Sequence, residues 1–364
     1  MSVTAEKRLY FVVPGAIDDP ERVSGGNVYD RHVRDELRNT GWDVRMVVIA
    51  EESGPFATRA LAKLPDGALV LIDGLIAVRE SGALAAQSRR LRMIVLAHMV
   101  ASLPPGFSTD ATDLADLADL AHRERAALKS ADRVIATSEW TRSELISRSL
   151  AHPHDIVTAY PGTDPAPATI ASRTGGRLLC VGVVAPHKGQ DVLLRALARV
   201  TEVGEWTCTF VGSLSTAPGF VADVKHTVRG EHWATRVVFA GILAGQELDA
   251  AYARADLVVA PSRTESFGMV VAEALARGIP VLASHVGGIP EALTSSGAGV
   301  LIPADDPAAL ETALREWWAS SPRRTELTTA AQEARTTVRS WSSTISTIES
   351  VLHDVARHGT SVRT

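Results

Sequence analysis

The chain has little cysteine and no long apolar run, and each shortage excludes a class of protein. Two cysteines, Cys180 and Cys208, occur in 364 residues, which is too few for a disulfide framework and fits a reducing compartment. No apolar run reaches the roughly 18 residues that a membrane-spanning helix needs. The amino-terminal stretch lacks a secretory signal pattern. We therefore expect a cytoplasmic protein and leave peripheral contact with the inner face of a membrane open.

Common catalytic and metal-binding motifs are also missing. The sequence contains no Gly-x-Ser-x-Gly elbow, no His-Glu-x-x-His, no Walker lysine loop and no cysteine–histidine cluster with metal-ligand spacing. The net charge of −5 gives no general attraction to nucleic acid. We predict no bound metal, no cofactor and no nucleic-acid partner.

What the chain does have is a regular alternation of short apolar runs and helical stretches. Runs such as "RLYFVVPG", "WDVRMVVIA" and "ALVLIDG" read as buried strands, with amphipathic segments between them. This pattern is typical of a parallel sheet covered by helices on both faces. The length and the 46% hydrophobic content suit two such domains.

A change of composition separates the two halves. Three prolines and three glycines fall within residues 157–176, and the strand–helix alternation then restarts at "RLLCVGVV". We predict an α/β protein with two facing Rossmann-like domains, residues 1–165 and 176–340, and a final helix in residues 341–364. Ligands of open parallel sheets bind at the carboxyl ends of the strands, so the cleft between the domains is the expected site.

The stretch "RTESFGMVVAEALARG" places two glutamates, Glu265 and Glu273, around the start of a helix that we expect to begin near Ser266 or Phe267. A helix N-terminus carries free N–H groups and a positive dipole end. A diphosphate would bind there, and the two carboxylates would hold hydroxyls of sugars on either side of it. Taken alone, a pair of glutamates with this spacing is more often a helix cap and a solvated residue.

Three further features gain meaning beside this stretch. Lys188 lies at the end of a loop that connects a predicted strand to a predicted helix, where its ammonium group would reach a phosphate. The pair Gly25-Gly26 opens a helix after the first strand, without the third glycine of a dinucleotide site. His98 follows an apolar run, where a polar contact in the cleft and a buried core histidine are both open.

Together these segments resemble the retaining glycosyltransferases of family 4, which have the GT-B architecture. The resemblance covers nearly the whole chain and includes "SGGN", "ADRVIATSEWTRSEL", "VGVVAPHKGQDVLLRAL" and "ADLVVAPSRTESFGMVVAEALARGIPVLASHVGGIPEAL". It implies catalytic roles for His98, Lys188 and Glu265. It also implies that the final helix crosses back onto the first domain. The residues that it implies for donor binding are Gly25, Gly26, Lys188, Arg263, Ser266, Phe267, Gly268, Met269, Val270 and Glu273.

One position departs from the family pattern. Val183 stands where most members have an arginine that binds the diphosphate. Three explanations are open: His187 or Arg263 compensates, the enzyme is slow, or the chain is a non-catalytic relative. We favour compensation, because Lys188 and both glutamates remain.

The resemblance implies metal-independent transfer of a hexose from a UDP- or GDP-sugar to an acceptor hydroxyl, with retention of the anomeric configuration. The acceptor is a small molecule, a glycan or a lipid-linked compound, and Ser53–Lys63 and Pro104–Asp119 are candidate acceptor loops by position. A nucleotide-sugar 2-epimerase is the alternative enzyme. A nucleotide-sugar binder, or the partner subunit of an active transferase, is the non-catalytic alternative.

Overall fold

The computed structural model describes residues 7–49, 56–103, 111–294 and 296–358, and it contains two six-stranded parallel sheets. Each sheet is flanked on both faces by helices, so its strands are buried. In the central strand of the first sheet, Leu69 and Leu71 pack into one hydrophobic cluster, while Val70 and Ile72 pack into another. Alternation between two buried faces explains why the strands read as continuous apolar runs.

The first sheet has the strand order β2-β1-β3-β4-β5-β6. Its strands are β1 (Arg8–Pro14), β2 (Asp43–Ile49), β3 (Leu69–Asp73), β4 (Arg92–Ala97), β5 (Arg133–Ala136) and β6 (Ile156–Thr158). The sequence did not predict β6, which lies at the start of the expected linker. Its three residues are too few to give a hydrophobic pattern of their own, and pairing with β5 supplies the stability.

The second sheet has the order β12-β11-β10-β7-β8-β9. Its strands are β7 (Arg177–Val181), β8 (Thr207–Val211), β9 (Val237–Gly241), β10 (Leu257–Ala260), β11 (Val281–Ser284) and β12 (Gly299–Ile302). Both sheets reverse their strand order near the middle, which places a crevice at their carboxyl edges.

The helices cover these sheets and connect their strands. Their bounds are α1 (Gly25–Asn39), α2 (Phe56–Ala62), α3 (Gly74–Arg79), α4 (Ser81–Gln87), α5 (Ala111–Ser130), α6 (Glu139–Ser147), α7 (Gln190–Leu197), α8 (Pro218–Val228), α9 (Gln246–Ala253), α10 (Met269–Ala276), α11 (Ile289–Leu293), α12 (Pro307–Ala319), α13 (Ser321–Ala334) and α14 (Trp341–His358).

The predicted start of the site helix was wrong by two or three residues. Helix α10 begins at Met269, not at Ser266 or Phe267, and Gly268 precedes it with φ +97°. The left-handed backbone at Gly268 turns the chain between loop and helix and delays the first helical residue. Glu273 is therefore the fifth residue of the helix, just over one turn inside it.

The final helix returns to the first domain, as the fold prediction requires. The apolar face of α14, including Ile345, Ile348 and Leu352, joins the hydrophobic cluster beneath β1 and α1. Each such buried side chain contributes about 1.5–3 kcal/mol to stability. The predicted fold class is confirmed.

Two other predictions concern surfaces. In the segments that the structure describes, no helix is both long and apolar enough to cross a membrane. Of the two candidate acceptor loops, residues 53–55 and 104–110 lie outside the described residues. Residues 56–62 form α2, and residues 111–119 lie in α5, so these parts of the two candidate loops are helical.

Candidate functional site

The carboxyl edges of the two sheets meet, and polar contacts join them. The Ser138 hydroxyl, at the end of β5, donates to the carbonyl of Ser266 in the second domain at 2.6 Å. Glu291 of α11 accepts from the first N–H groups of α6, those of Glu139 at 2.8 Å and Trp140 at 2.6 Å. The loops of both domains therefore line one interdomain site.

Lys188 and Glu265 form an ion pair in this site. Lys188 Nζ lies 2.5 Å from Glu265 Oε2, and the two side chains are 23% and 19% exposed. Gly189 fixes the preceding turn, because its φ is +67° and a Cβ there would lie 2.0 Å from the carbonyl oxygen of Pro261. The structure thus brings together two residues that are 77 positions apart and leaves both within reach of a ligand.

The N-terminus of α10 lies next to this pair. Among the described residues, no hydrogen-bond acceptor contacts the backbone N–H groups of Phe267, Gly268, Met269 or Val270. Because these N–H groups are unpaired and the helix dipole is positive there, this end of the helix suits an anion.

The glycine loop of the first domain reaches the same place. Ser24 caps α1 by accepting from the N–H of Asn27. A Cβ added at Gly25 would lie 3.4 Å from Met269 Sδ, and one at Gly26 would lie 3.4 Å from the His98 ring. Gly25 and Gly26 therefore lie between the start of α10 and His98, so three of the predicted site segments are adjacent.

The Glu273 side chain faces inward and has one hydrogen-bond partner among the described residues. The hydroxyl of Tyr252, a fully buried side chain of α9, donates to Glu273 Oε2 at 2.7 Å. Burial raises the pKa of the Glu273 carboxyl, although the bond from Tyr252 and the charge of Arg277 oppose this. The second carboxylate oxygen, Oε1, is available to accept from another hydroxyl.

His98 sits between two buried carboxylates. Its Nε2 lies 2.9 Å from Asp30 Oδ1 and 3.5 Å from Asp73 Oδ2. Burial lowers the pKa of the imidazole, but the charges of Asp30 and Asp73 and the hydrogen bond to Asp30 outweigh it, so the pKa is raised. Burial also raises the pKa of Asp73, to about 6. The sequence left two interpretations of His98 open, a polar group in the cleft and a buried core histidine. In the structure His98 has features of both.

The two cations expected to compensate for Val183 have other partners. The Arg263 guanidinium is 9% exposed and binds Asp191 and Asp305, each at 2.7 Å. Burial, and then the charge of Lys188, lowers the pKa of His187, which disfavours its charged form. Neither group is a free cation in this structure, so their predicted role at the diphosphate has no support from these contacts.

Sequence reasoning missed Asp30, Asp73 and Tyr252. Asp30 could have been found from the sequence, because it shares the apolar face of α1 with Val33 and Leu37. A carboxylate on a buried apolar face is unusual and suggests a functional role. Asp73 is the last residue of β3, and His98 directly follows β4. They are neighbours because β3 and β4 are adjacent in the sheet, and the sequence does not show this strand order. Tyr252 gave no signal beyond an apolar helix position.

Asp30, Asp73 and His98 are also the one group of three metal-binding residue types, within the described ranges, whose ligand atoms lie within 4.8 Å of one another. The three groups also contact one another directly, with His98 Nε2 2.9 Å from Asp30 Oδ1 and 3.5 Å from Asp73 Oδ2.

The fold is that of GT-B glycosyltransferases. The structure superimposes on sucrose-phosphate synthase from Thermosynechococcus elongatus with a TM-score of 0.80 and 20% identity, covering 96% of this chain and 99% of that one. It superimposes on Anabaena HepE in complex with UDP-glucose with a TM-score of 0.75 and 18% identity, covering 95% and 99%.

Residues 175–320 match the family "Glycosyl transferases group 1". The chain is 32% identical over 253 residues to D-inositol 3-phosphate glycosyltransferase of Mycolicibacterium gilvum, covering 66% of this chain and 56% of that protein. It is 34% identical over 233 residues to the protein of that name in Kineococcus radiotolerans, covering 56% and 53%. The chain thus spans about half the length of the curated relatives that it matches, and the resemblance to glycosyltransferases is confirmed.

Proposed function

We propose that the protein transfers a hexose from a nucleotide-diphosphate sugar to an acceptor hydroxyl with retention of the anomeric configuration. The observation that carries this proposal is the Lys188–Glu265 pair beside the unpaired N–H groups of α10. This arrangement offers a cation and four N–H donors to a diphosphate, and carboxylates to the sugars on either side.

In this proposal, the donor diphosphate lies at the start of α10 and beside Lys188. Its ribose hydroxyls reach Glu273, whose Oε1 has no hydrogen bond from any described residue. UDP is the first nucleotide to test, because HepE is described with UDP and with UDP-glucose. GDP remains the second.

The chemical step needs no enzymic nucleophile in this scheme. As the bond from the anomeric carbon to the diphosphate oxygen breaks, Lys188 and the N-terminus of α10 stabilise the charge that develops on the leaving group. The sugar passes through an oxocarbenium-like state, and Glu265 orients it and favours its positive charge. The leaving phosphate accepts the proton of the acceptor hydroxyl, whose oxygen bonds to the anomeric carbon on the same face. No bound metal takes part.

The acceptor is the least defined component. The curated relatives are named for D-inositol 3-phosphate, so inositol phosphates open the screen, followed by glycans and lipid-linked acceptors. A lipid-linked acceptor would bring the protein to a membrane surface from the cytoplasm.

Val183 keeps the non-catalytic alternative in view, because the structure shows no free cation on Arg263 or His187 to replace the missing arginine. A binder would bind a nucleotide sugar without turning it over. A 2-epimerase would convert the donor without any acceptor, so analysis of donor-only reactions identifies it.

A thermal-shift panel with UDP, GDP and ADP, and then their sugars, tests the donor site. A ligand at 100 times its dissociation constant stabilises the fold by about 2.7 kcal/mol. We expect one nucleotide to shift the wild type and Glu273→Ala to lose that shift. Glu231→Ala, an exposed glutamate of the same domain, is the matched control. If no nucleotide shifts the wild type, the donor-site proposal is wrong.

A further inference from the structure

The two carboxylates around His98 are among the most deeply buried acids of the described chain. Asp30 is 0% exposed and Asp73 is 3% exposed. Asp30 Oδ2 has no hydrogen-bond partner within the described residues. An unpaired buried polar atom lowers the stability of the folded state by about 1–3 kcal/mol. Burying two acids beside one imidazole is therefore unfavourable for folding.

Helix capping accounts for one of these acids but not for the other. Asp73 Oδ1 accepts from the N–H groups of Leu75 and Ile76 at the start of α3, at 2.9 and 3.1 Å. Asp30 has no such use. Among the described residues, its one side-chain hydrogen bond is with His98, although its position on the apolar face of α1 would suit an uncharged residue.

The remaining surroundings fix the imidazole in one orientation. The ring of Tyr29 packs edge-on, with the two ring centroids 5.3 Å apart, and a Cβ added at Gly26 would lie 3.4 Å from the His98 ring. The carbonyl of His98 accepts from the Thr137 hydroxyl at 3.1 Å. Since Nε2 is held by Asp30, Nδ1 is the ring nitrogen that no described residue contacts.

We propose that Asp30 and Asp73 are positioning residues that hold the His98 ring by Nε2 and stabilise its protonated form, leaving Nδ1 to contact the donor sugar or the acceptor. The inference rests on the proposed function, since that function puts His98 at the reacting sugar. The acids act through His98 and do not touch substrate themselves. A carboxylate that orients a histidine and stabilises its charged form is a recurring catalytic device.

The charged and titratable groups that face His98 come from three elements. Asp30 and Tyr29 lie on α1, Asp73 ends β3, and Glu124 of α5 lines a small cavity beside the ring. The Glu124 carboxylate is engaged by the N–H groups of Ala101 and Ser102. Asp30 and Asp73 are therefore the groups whose removal changes the charge state of the ring, and both raise its pKa.

Asp30→Asn and Asp73→Asn separate charge from shape. An asparagine at position 30 can still accept from His98 Nε2, and one at position 73 can still cap α3, while each removes a negative charge. Asp35→Asn is the matched control, because Asp35 lies on α1 but is exposed and pairs with Arg34. The His98 resonance among the eleven histidines is identified by its loss in His98→Gln.

We expect NMR titration of the full chain to show that the pKa of His98 falls in both test variants and stays unchanged in Asp35→Asn. With a donor and acceptor in hand, kcat should fall about 10- to 100-fold, the scale known for carboxylates that orient a metal-ligating histidine. KM for the donor should change little, and the pH profile of kcat should move with the titration.

Unchanged titration of His98 in both variants would overturn the proposal, and so would a shift in titration that leaves kcat and its pH profile as in wild type. If Asp30→Asn fails to fold, Asp73→Asn alone decides by the same readouts. If the wild type turns over no donor, the proposed function fails, while the titration still decides whether the acids set the state of His98.

Discussion

Replacing Tyr252 by phenylalanine removes a single hydroxyl and tests how Glu273 is held. The Tyr252 hydroxyl lies 2.7 Å from Glu273 Oε2 and is fully buried. A hydrogen bond to a charged group contributes about 1.5–3 kcal/mol, and without it the carboxylate is less well oriented and its pKa rises further. If Glu273 binds the ribose, we expect nucleotide affinity to fall about 10- to 100-fold, since 1.4 kcal/mol is tenfold.

Isothermal titration calorimetry with UDP and with 2′,3′-dideoxy-UDP measures this effect and its location. The loss should appear with UDP and nearly vanish with the dideoxy nucleotide, which has no ribose hydroxyl for Glu273 to accept from. Tyr10→Phe is the control, because Tyr10 lies in β1 of the other domain. Equal losses for both nucleotides would mean that Tyr252 supports the fold and not the ribose site, and the reasoning would be refuted.

Three further predictions concern charge. Lys188→Met should lower kcat by roughly 100-fold or more, the usual effect of removing one transition-state donor, in a radiolabelled transfer assay; a change under twofold would place the diphosphate elsewhere. Val183→Arg should tighten donor binding by calorimetry, because Arg263 is held by Asp191 and Asp305; weaker binding would argue that the position is closed to a cation. The raised pKa of Asp73, about 6, means that the folded state binds more protons than the unfolded state, so stability should fall as pH rises from about 4 to 6. Urea unfolding across this range should show a smaller fall in Asp73→Asn.

The sequence predicted the parts of the fold that repeat. Strands buried on both faces give long apolar runs, so nearly every strand of the two sheets was visible. The proline- and glycine-rich residues 161–176 lie between β6 and β7. Strand β6 was missed, because a three-residue strand is too short to show a hydrophobic period. The early start assigned to α10 has a similar cause, since Gly268 breaks a pattern that otherwise continues.

The site was predictable where a motif is contiguous and unpredictable where it depends on packing. Lys188, Glu265 and the glycine loop were expected to meet, and the structure brings them together. The acids around His98 come from different elements, and only the strand order places Asp73 beside it. The partners of Arg263 were equally hidden, because Asp191 and Asp305 lie 72 and 42 positions away.

The return of α14 means that the polypeptide crosses between the domains twice. The outgoing and returning segments lie side by side, with Thr163 donating its backbone N–H to the carbonyl of Arg339 at 2.8 Å and pairing with Ser340 as an isolated bridge. With a single crossing, one domain could rotate freely about the connecting segment. A paired crossing restrains twisting of one domain against the other, because the two segments are joined to each other by these contacts. The two sheet edges are thereby kept facing each other.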